Sequence, residues 1–180
     1  MKMNRAVLTA VVIVILAAAG WWVFRRGNEE RIDLLTRWDS AQKDGAGPYS
    51  VVDATLAGEG KKAILAPANG RIHFRVKVPD DGWLKVSLGL QPDAWTKEGN
   101  GVYFFAGVSD GRTFEKLFEQ TLNPFANPSE RRWIPVTVDL SAYAGEEMEI
   151  ILNTRSSAGG VPPDERNDLP LWGAPEVVRR

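Results

Sequence analysis

Between residues 71 and 90 polar and apolar residues take turns along the chain. Arg71, His73, Arg75 and Lys77 alternate with Ile72, Phe74, Val76 and Val78. After Pro79-Asp80-Asp81-Gly82, Leu84, Val86, Leu88 and Leu90 alternate with Trp83, Lys85, Ser87 and Gly89. A period of two sorts residues onto opposite faces of an extended chain, so each run predicts a strand with one apolar face. A Pro-Asp-Asp-Gly turn between them reads as an antiparallel hairpin. One hairpin cannot hide its apolar face from water, so more strands are expected to cover it.

The remaining chain supplies them. Strands are expected at 49–56, 62–65, 71–78, 83–90, 102–109, 113–122, 133–140, 148–153 and 171–178. Val102, Phe104, Ala106 and Val108 share one face, as do Ile134, Val136, Val138 and Leu140, and Met148, Ile150 and Leu152. Ser109-Asp110-Gly111-Arg112 is a tight hairpin signal. Pro135 has no N–H to donate, which places it at a sheet edge or with that side facing outward. No helix-period segment of useful length follows Trp38. Short alternating strands at this spacing predict an all-β fold, an antiparallel jelly-roll β-sandwich over residues 49–180.

Two segments precede it. The run 6–24 is apolar except Thr9 and Gly20. As a helix it is about 28 Å long, close to the hydrocarbon thickness of a bilayer. Lys2 and Arg5 lie before it, Trp21 and Trp22 near its end, and Arg25-Arg26 close it. Residues 1–27 therefore read as a transmembrane helix serving as a signal anchor. A cleaved signal peptide is the competing reading, because Ala17-Ala18-Ala19 resembles a cleavage site; the run continues past it to Phe24. Flanking charge divides: Lys2 and Arg5 favour one orientation, and Arg25, Arg26, Arg31 and Arg37 the other. In 28–48, Asn28 is an N-cap candidate, Glu29 and Glu30 suit a first turn, and Ile32, Leu35 and Trp38 share a side. A short spacer helix over 28–38 is expected there, followed by a linker through Asp44-Gly45-Ala46-Gly47-Pro48.

If neighbouring strands run alternately up and down, every second connection falls at the same end of the sandwich. One end receives the short connections 79–82, 110–112 and 141–147. The other receives 57–61, 91–101, 123–132 and 154–170. The last three are long for a compact domain, and long loops on a rigid scaffold are where binding sites gather.

Composition narrows the chemistry. The chain has 180 residues, a formal net charge of -1, no cysteine and a single histidine, His73. Near-neutral charge argues against a nucleic-acid partner. Without cysteine there is no disulfide, thiolate nucleophile or cysteine-based metal site. One histidine leaves no His pair for zinc and no evident Ser-His-Asp triad. The long loops suit a polar ligand. Trp95 and Phe125 can stack on a sugar ring, while Asn100, Asn123, Asn127, Arg131, Arg132, Arg155, Asp164, Arg166, Asn167 and Asp168 offer groups for hydroxyls or carboxylates. The same residues also have a bland reading, since Asn and Asp are loop formers and Trp95 can plug the end of the core. The row Arg71, His73, Arg75, Lys77 reads as a solvated face or a charge-guarded edge strand. Trp83, Trp133 and Trp172, at strand starts, read as packing residues. No cofactor is expected. Asp164, Glu165 and Asp168 offer oxygens for a structural calcium, at a spacing that matches no defined calcium loop.

Several stretches resemble a known type of bacterial β-sandwich. They are Phe74-Arg75-Val76-Lys77-Val78-Pro79, Trp83-Leu84-Lys85-Val86-Ser87-Leu88-Gly89-Leu90, Val108-Ser109-Asp110-Gly111-Arg112, Trp133, Val138-Asp139-Leu140-Ser141-Ala142-Tyr143-Ala144-Gly145 and Leu171-Trp172-Gly173-Ala174-Pro175. Over 32–178 the chain is similar to galactose-binding-like jelly rolls related to carbohydrate-binding modules. Domains of that kind accompany bacterial membrane-bound sulfatases and glycan-processing enzymes. The resemblance implies a non-catalytic, extracytoplasmic domain; with the apolar run 6–24 this gives a single-pass membrane protein whose C-terminal domain lies outside the cytoplasm. The resemblance also implies a glycan ligand, and the loop chemistry places the candidate contacts at the long-loop end, at Trp95, Asn100, Asn123, Phe125, Arg131, Arg132, Arg155, Asn167 and Asp168. Two alternatives stand beside it: a protein-interaction module that docks on a membrane-associated glycan-processing enzyme, and a hydrolase.

Overall fold

A computed structural model describes residues 31–45 and 47–180. The run 6–24, read as a membrane anchor, lies outside the described residues. Among the described residues no helix is long and apolar enough to cross a membrane. The chain forms β1 (Arg31–Asp33), β2 (Gln42–Asp44), β3 (Ser50–Leu56), β4 (Glu59–Leu65), β5 (Gly70–Lys77) and β6 (Gly82–Leu90). It continues with β7 (Val102–Ser109), β8 (Phe114–Leu122), β9 (Ile134–Asp139), β10 (Glu147–Arg155) and β11 (Pro170–Arg179). Each strand expected from residue 49 onward is present, shifted by a residue or so at most ends.

The strands form two antiparallel sheets. One has the order β3-β4-β11-β6-β9, with β1 also on β11; the other has β2-β5-β10-β7-β8. β9 is an edge strand, which accommodates Pro135 opposite Ser87. Between the sheets lies one core that includes Phe74, Leu84, Leu88, Phe104, Ile150, Leu152 and Trp172, each at most 1% exposed. Phe104 meets Trp172 edge to face at 5.1 Å.

Three expectations are corrected. The first concerns the run 71–90. Its strands β5 and β6 do not pair: β5 lies between β2 and β10, and β6 between β11 and β9. The Pro-Asp-Asp-Gly connection is a corner between sheets, with Asp81 in the left-handed region at φ 51. Both strands turn an apolar face to the same core, and facing each other across it buries both sets at once. The same placement makes the His73 strand interior, not a sheet edge.

The second concerns 28–38. Among its described residues, Arg31–Asp33 is a strand and Leu34–Ser40 a 3-10 helix, capped by the Asp33 side chain accepting from Leu35 N. Ile32 lies in register with Val177, and Leu34 is wholly buried. β11 carries a bulge between Gly173 and Glu176, and passes its free edge from β4 to β1 there. Pairing with that edge outweighs local helix preference. β2, expected as linker, pairs with β5 through Gln42↔His73 and Asp44↔Arg71.

The third concerns 57–61. Ala57-Gly58 turns a hairpin whose pairing keeps Leu65 opposite Leu171, so the turn points away from the long loops. The hairpin covers the outer face of its sheet. Leu56, Ala63, Trp133 and Leu171 form a second apolar cluster there, and Trp133 Nε1 donates to Glu59 O at 2.9 Å. Gly89 and Gly173 leave room for this: a Cβ at Gly89 would lie 2.3 Å from Leu56 Cδ1, and one at Gly173 2.6 Å from the Trp133 ring.

The remaining connections divide as expected. Lys77 opposite Glu147, Ser109 opposite Glu149 and Trp83 opposite Asp139 gather the short connections at one pole. Thr154 opposite Gly70, Arg155 opposite Tyr103, Pro170 opposite Leu90 and Val102 opposite Leu122 gather the three long ones at the other.

Candidate functional site

The long loops brace one another. Asn123 Nδ2 donates to Gly99 O (3.0 Å), Asn100 Nδ2 to Pro162 O (3.0 Å) and Asn167 Nδ2 to Glu98 O (3.0 Å). Asn167 has φ 62, a conformation asparagine tolerates well. Arg131 ties two loops, donating through Nε to Pro124 O (2.9 Å) and through Nη2 to Trp95 O (3.0 Å). Trp95 Nε1 donates to Leu90 O (2.9 Å), and its ring packs on the second apolar cluster. Trp95, Asn100, Asn123, Arg131 and Asn167 are thus occupied in holding the pole together. Arg132 Nε donates to Ser129 O within its own exposed turn, and Phe125 is 41% exposed.

Asp168 is buried, its Oδ2 without a hydrogen-bond partner. Burial, with Asp164 and Glu165 nearby, pushes its carboxyl up to about 7. It lines a cavity of about 10 Å³, room for about one water and no sugar. Asp164 accepts twice from the Arg166 guanidinium (2.8 and 2.7 Å), which holds its carboxyl down at about 2. Glu165 accepts from Asn69 Nδ2. Among the described residues no group of three or more acidic or histidine side chains is placed to hold a metal ion.

The pole opens on the side of the β2-β5-β10-β7-β8 sheet. A groove of about 220 Å³ is lined by Asp44 and Gly45 after β2, Asn69, Gly70 and Arg71 at the start of β5, and Asn153, Thr154 and Arg155 at the end of β10. Arg71 and Asn153 are register partners on the outward face, and Arg71 Nε donates to Asn153 Oδ1 at 2.7 Å. Asn153 is 3% exposed, and its Nδ2 has no partner. Asn69 is fixed by Ser156 N donating to its Oδ1 (3.3 Å), and Thr154 Oγ1 donates to Pro67 O (2.8 Å). Arg155 lies 5.1 Å from the Phe105 ring centroid, and Tyr103 lies 5.3 Å from Phe105. Arg155 thus sits against an aromatic pair on β7, in which Phe105 is itself 5% exposed.

Below the groove, His73 sits between two carboxylates. Its Nδ1 is 3.1 Å from Glu149 Oε2, and its Nε2 is 3.1 Å from Asp44 Oδ2, the latter without hydrogen-bond geometry. His73, and then Arg75, hold the Glu149 carboxyl below the usual carboxylate range. The row read as a solvated face is half covered at this position.

Of the nine candidate residues, Arg155 lines this groove. Asn69, Arg71, Asn153, Tyr103 and Phe105 were missed. A signal existed: Tyr103 and Phe105 alternate with the inward residues of β7, so they face outward by periodicity. The register that sets Arg71 beside Asn153 left no trace in the sequence.

No family model matches the chain. It is 37% identical over 103 residues to an uncharacterized protein of Archaeoglobus fulgidus, covering 57% of this chain and 25% of that protein. It is 29% identical over 140 residues to Hemagglutinin A of Porphyromonas gingivalis, covering 71% of this chain and 5% of that protein. The chain thus spans a quarter or less of these curated relatives. Among solved structures, 82% of the chain superimposes on 99% of a CBM51 from Clostridium perfringens GH95 in complex with methyl-galactose, with TM-score 0.57 and 18% identity. The fold is a jelly-roll β-sandwich like that of this module. The CBM51-2 and INT domains of Clostridium perfringens ZmpB match over 83% of this chain and 32% of that one, with TM-score 0.59 and 16% identity. TmCBM61 in complex with β-1,4-galactotriose matches over 82% and 99%, with TM-score 0.53 and 13% identity.

Proposed function

We propose that this sandwich is a non-catalytic module that binds a glycan in the groove between Asp44, Asn69, Arg71, Asn153 and Arg155. One observation carries the reading: a buried amide donor without a partner, Asn153 Nδ2, lines an open groove beside two guanidinium groups and next to Tyr103 and Phe105. Sugars offer hydroxyls to planar polar groups and C–H faces to aromatic rings, and a few fixed polar groups beside an apolar wall suit them. The fold shared with modules solved holding methyl-galactose and β-1,4-galactotriose supports the reading. Phe125 and Arg132, exposed on the same pole, extend the proposed surface. A hydrolytic role is disfavoured, because the carboxyl pushed up toward neutrality, Asp168, faces a cavity too small for a substrate.

We also propose that residues 1–27 hold the module at a membrane with the sandwich outside the cytoplasm. Protease added to intact cells should then remove the sandwich; protection until the cells are lysed would contradict this placement. The ligand proposal is tested by probing a glycan array with the full chain in detergent. Binding is expected, and N153A should weaken it roughly tenfold or more while thermal unfolding shows a folded protein. An array with no hits, or hits indifferent to N153A and R155Q, would contradict the proposal.

A further inference from the structure

The groove is rich in donors and poor in free acceptors. Arg71 commits Nε to Asn153 Oδ1, and its two terminal nitrogens have no hydrogen-bond or ion-pair partner among the described residues. Arg155 is exposed, stacks on Phe105, and likewise has no carboxylate or carbonyl partner among the described residues. Asn153 Nδ2 is buried and unpartnered. Against these stands one carboxylate, Asp44, which is already engaged: both of its oxygens accept from Gln42 Nε2 at 3.1 Å, and Oδ2 lies 3.1 Å from His73 Nε2. Glu165, bonded to the lining residue Asn69, accepts from its Nδ2.

Neutral hydroxyls need donors and acceptors together, because each one both gives and takes a hydrogen bond. In this groove donors outnumber acceptors, Asp44 being the one carboxylate in its lining. Two guanidinium groups with free N–H faces match an anionic group in paired geometry. We propose that the groove selects glycans bearing an anionic substituent, either a carboxylate or a sulfate ester, seated between Arg71, Arg155 and the Asn153 amide. The inference rests on the glycan-binding reading and narrows its ligand class. Such a ligand differs from the neutral methyl-galactose and β-1,4-galactotriose held by the solved neighbours.

The test uses the full chain in detergent and three matched probes: oligogalacturonate, its neutral galactose counterpart, and the same neutral oligosaccharide carrying a sulfate ester. Affinity is measured by calorimetry at two salt concentrations, for the parent protein and for R155Q. At least one anionic probe should bind about tenfold or more tightly than the neutral one, and R155Q should erase that preference. The stronger anionic arm tells carboxylate from sulfate, and raised salt should narrow the gap. Equal affinity for neutral and anionic probes would overturn the anionic selectivity and leave glycan binding standing. An anionic preference unchanged in R155Q would overturn the assigned seat. Binding of none of the three probes would overturn the selectivity and the glycan reading together.

Discussion

Asn153 shows how one residue can be structural and unfinished at once. Its carbonyl accepts from Arg71, while its buried N–H group faces the groove with no partner. An unmet buried donor costs about 1–3 kcal/mol, a cost that a bound acceptor would offset. Asp168 carries a different tension. Its carboxyl sits at about 7 in the folded chain, against an ordinary value of about 3.9. Between those values the native state keeps a proton that the unfolded chain has released, so stability falls as pH rises across that window. D168N removes the ionisation. At pH near 8 it should unfold at higher temperature than the parent, by the equivalent of about 1–3 kcal/mol, and near pH 4 the two should coincide. A gap that widened toward acid would contradict this. Arg131 carries no such tension, since it donates to two carbonyls from different loops. R131A should cost about 1–3 kcal/mol in chemical denaturation, through carbonyls left half-buried. The residue types at this pole were legible as polar loop chemistry. Which of them brace the loops and which face a ligand was not, because that depends on hydrogen bonds across loops remote in sequence.

At the scale of elements, periodicity found strands reliably and their partners poorly. Alternation in β5 and β6 told which residues face the core, and both strands obey it. It could not tell whether two neighbouring strands share a sheet, because facing sheets and paired strands bury the same residues. Residues 31–44 were misread for a related reason. Three-residue strands are too short to show a period, and β1 exists because β11 has a free edge beyond its bulge. These two strands are part of the sandwich, so a chain beginning at Tyr49 should lose Leu34 from the core and melt well below one beginning at Arg31. Equal melting temperatures would show that β1 and β2 contribute little. Gly107 marks another dependence on pairing. At the β7–β8 bulge a Cβ on this residue would lie 2.0 Å from the Glu115 carbonyl oxygen, a backbone atom that cannot swing away. G107A should therefore destabilise by roughly 1–3 kcal/mol in a denaturant titration, whereas G111A has open space at its Cβ and meets strain only from its φ of 88.

For the whole molecule, the decisive feature is the separation of short and long connections onto opposite poles. That much followed from alternation and connection length, with the 57–61 turn as the exception. The groove did not follow, because it forms where strand ends from β2, β5 and β10 meet beneath the loops. A second concavity of about 200 Å³ lies at the short pole, walled by Arg75, Ser109, Asp110, Gly111, Glu147 and Glu149. Its carboxylates make it the electrostatic opposite of the proposed site, so the two poles give different answers to one experiment. The most direct measurement is a map of backbone amide signals by nuclear magnetic resonance as an acidic oligosaccharide is added to the full chain in micelles. Signals of residues 69–72, 103–105 and 153–156 should move together and saturate. Movement centred on 109–111 and 147–149, or none at any sugar concentration, would contradict recognition at the long-loop pole.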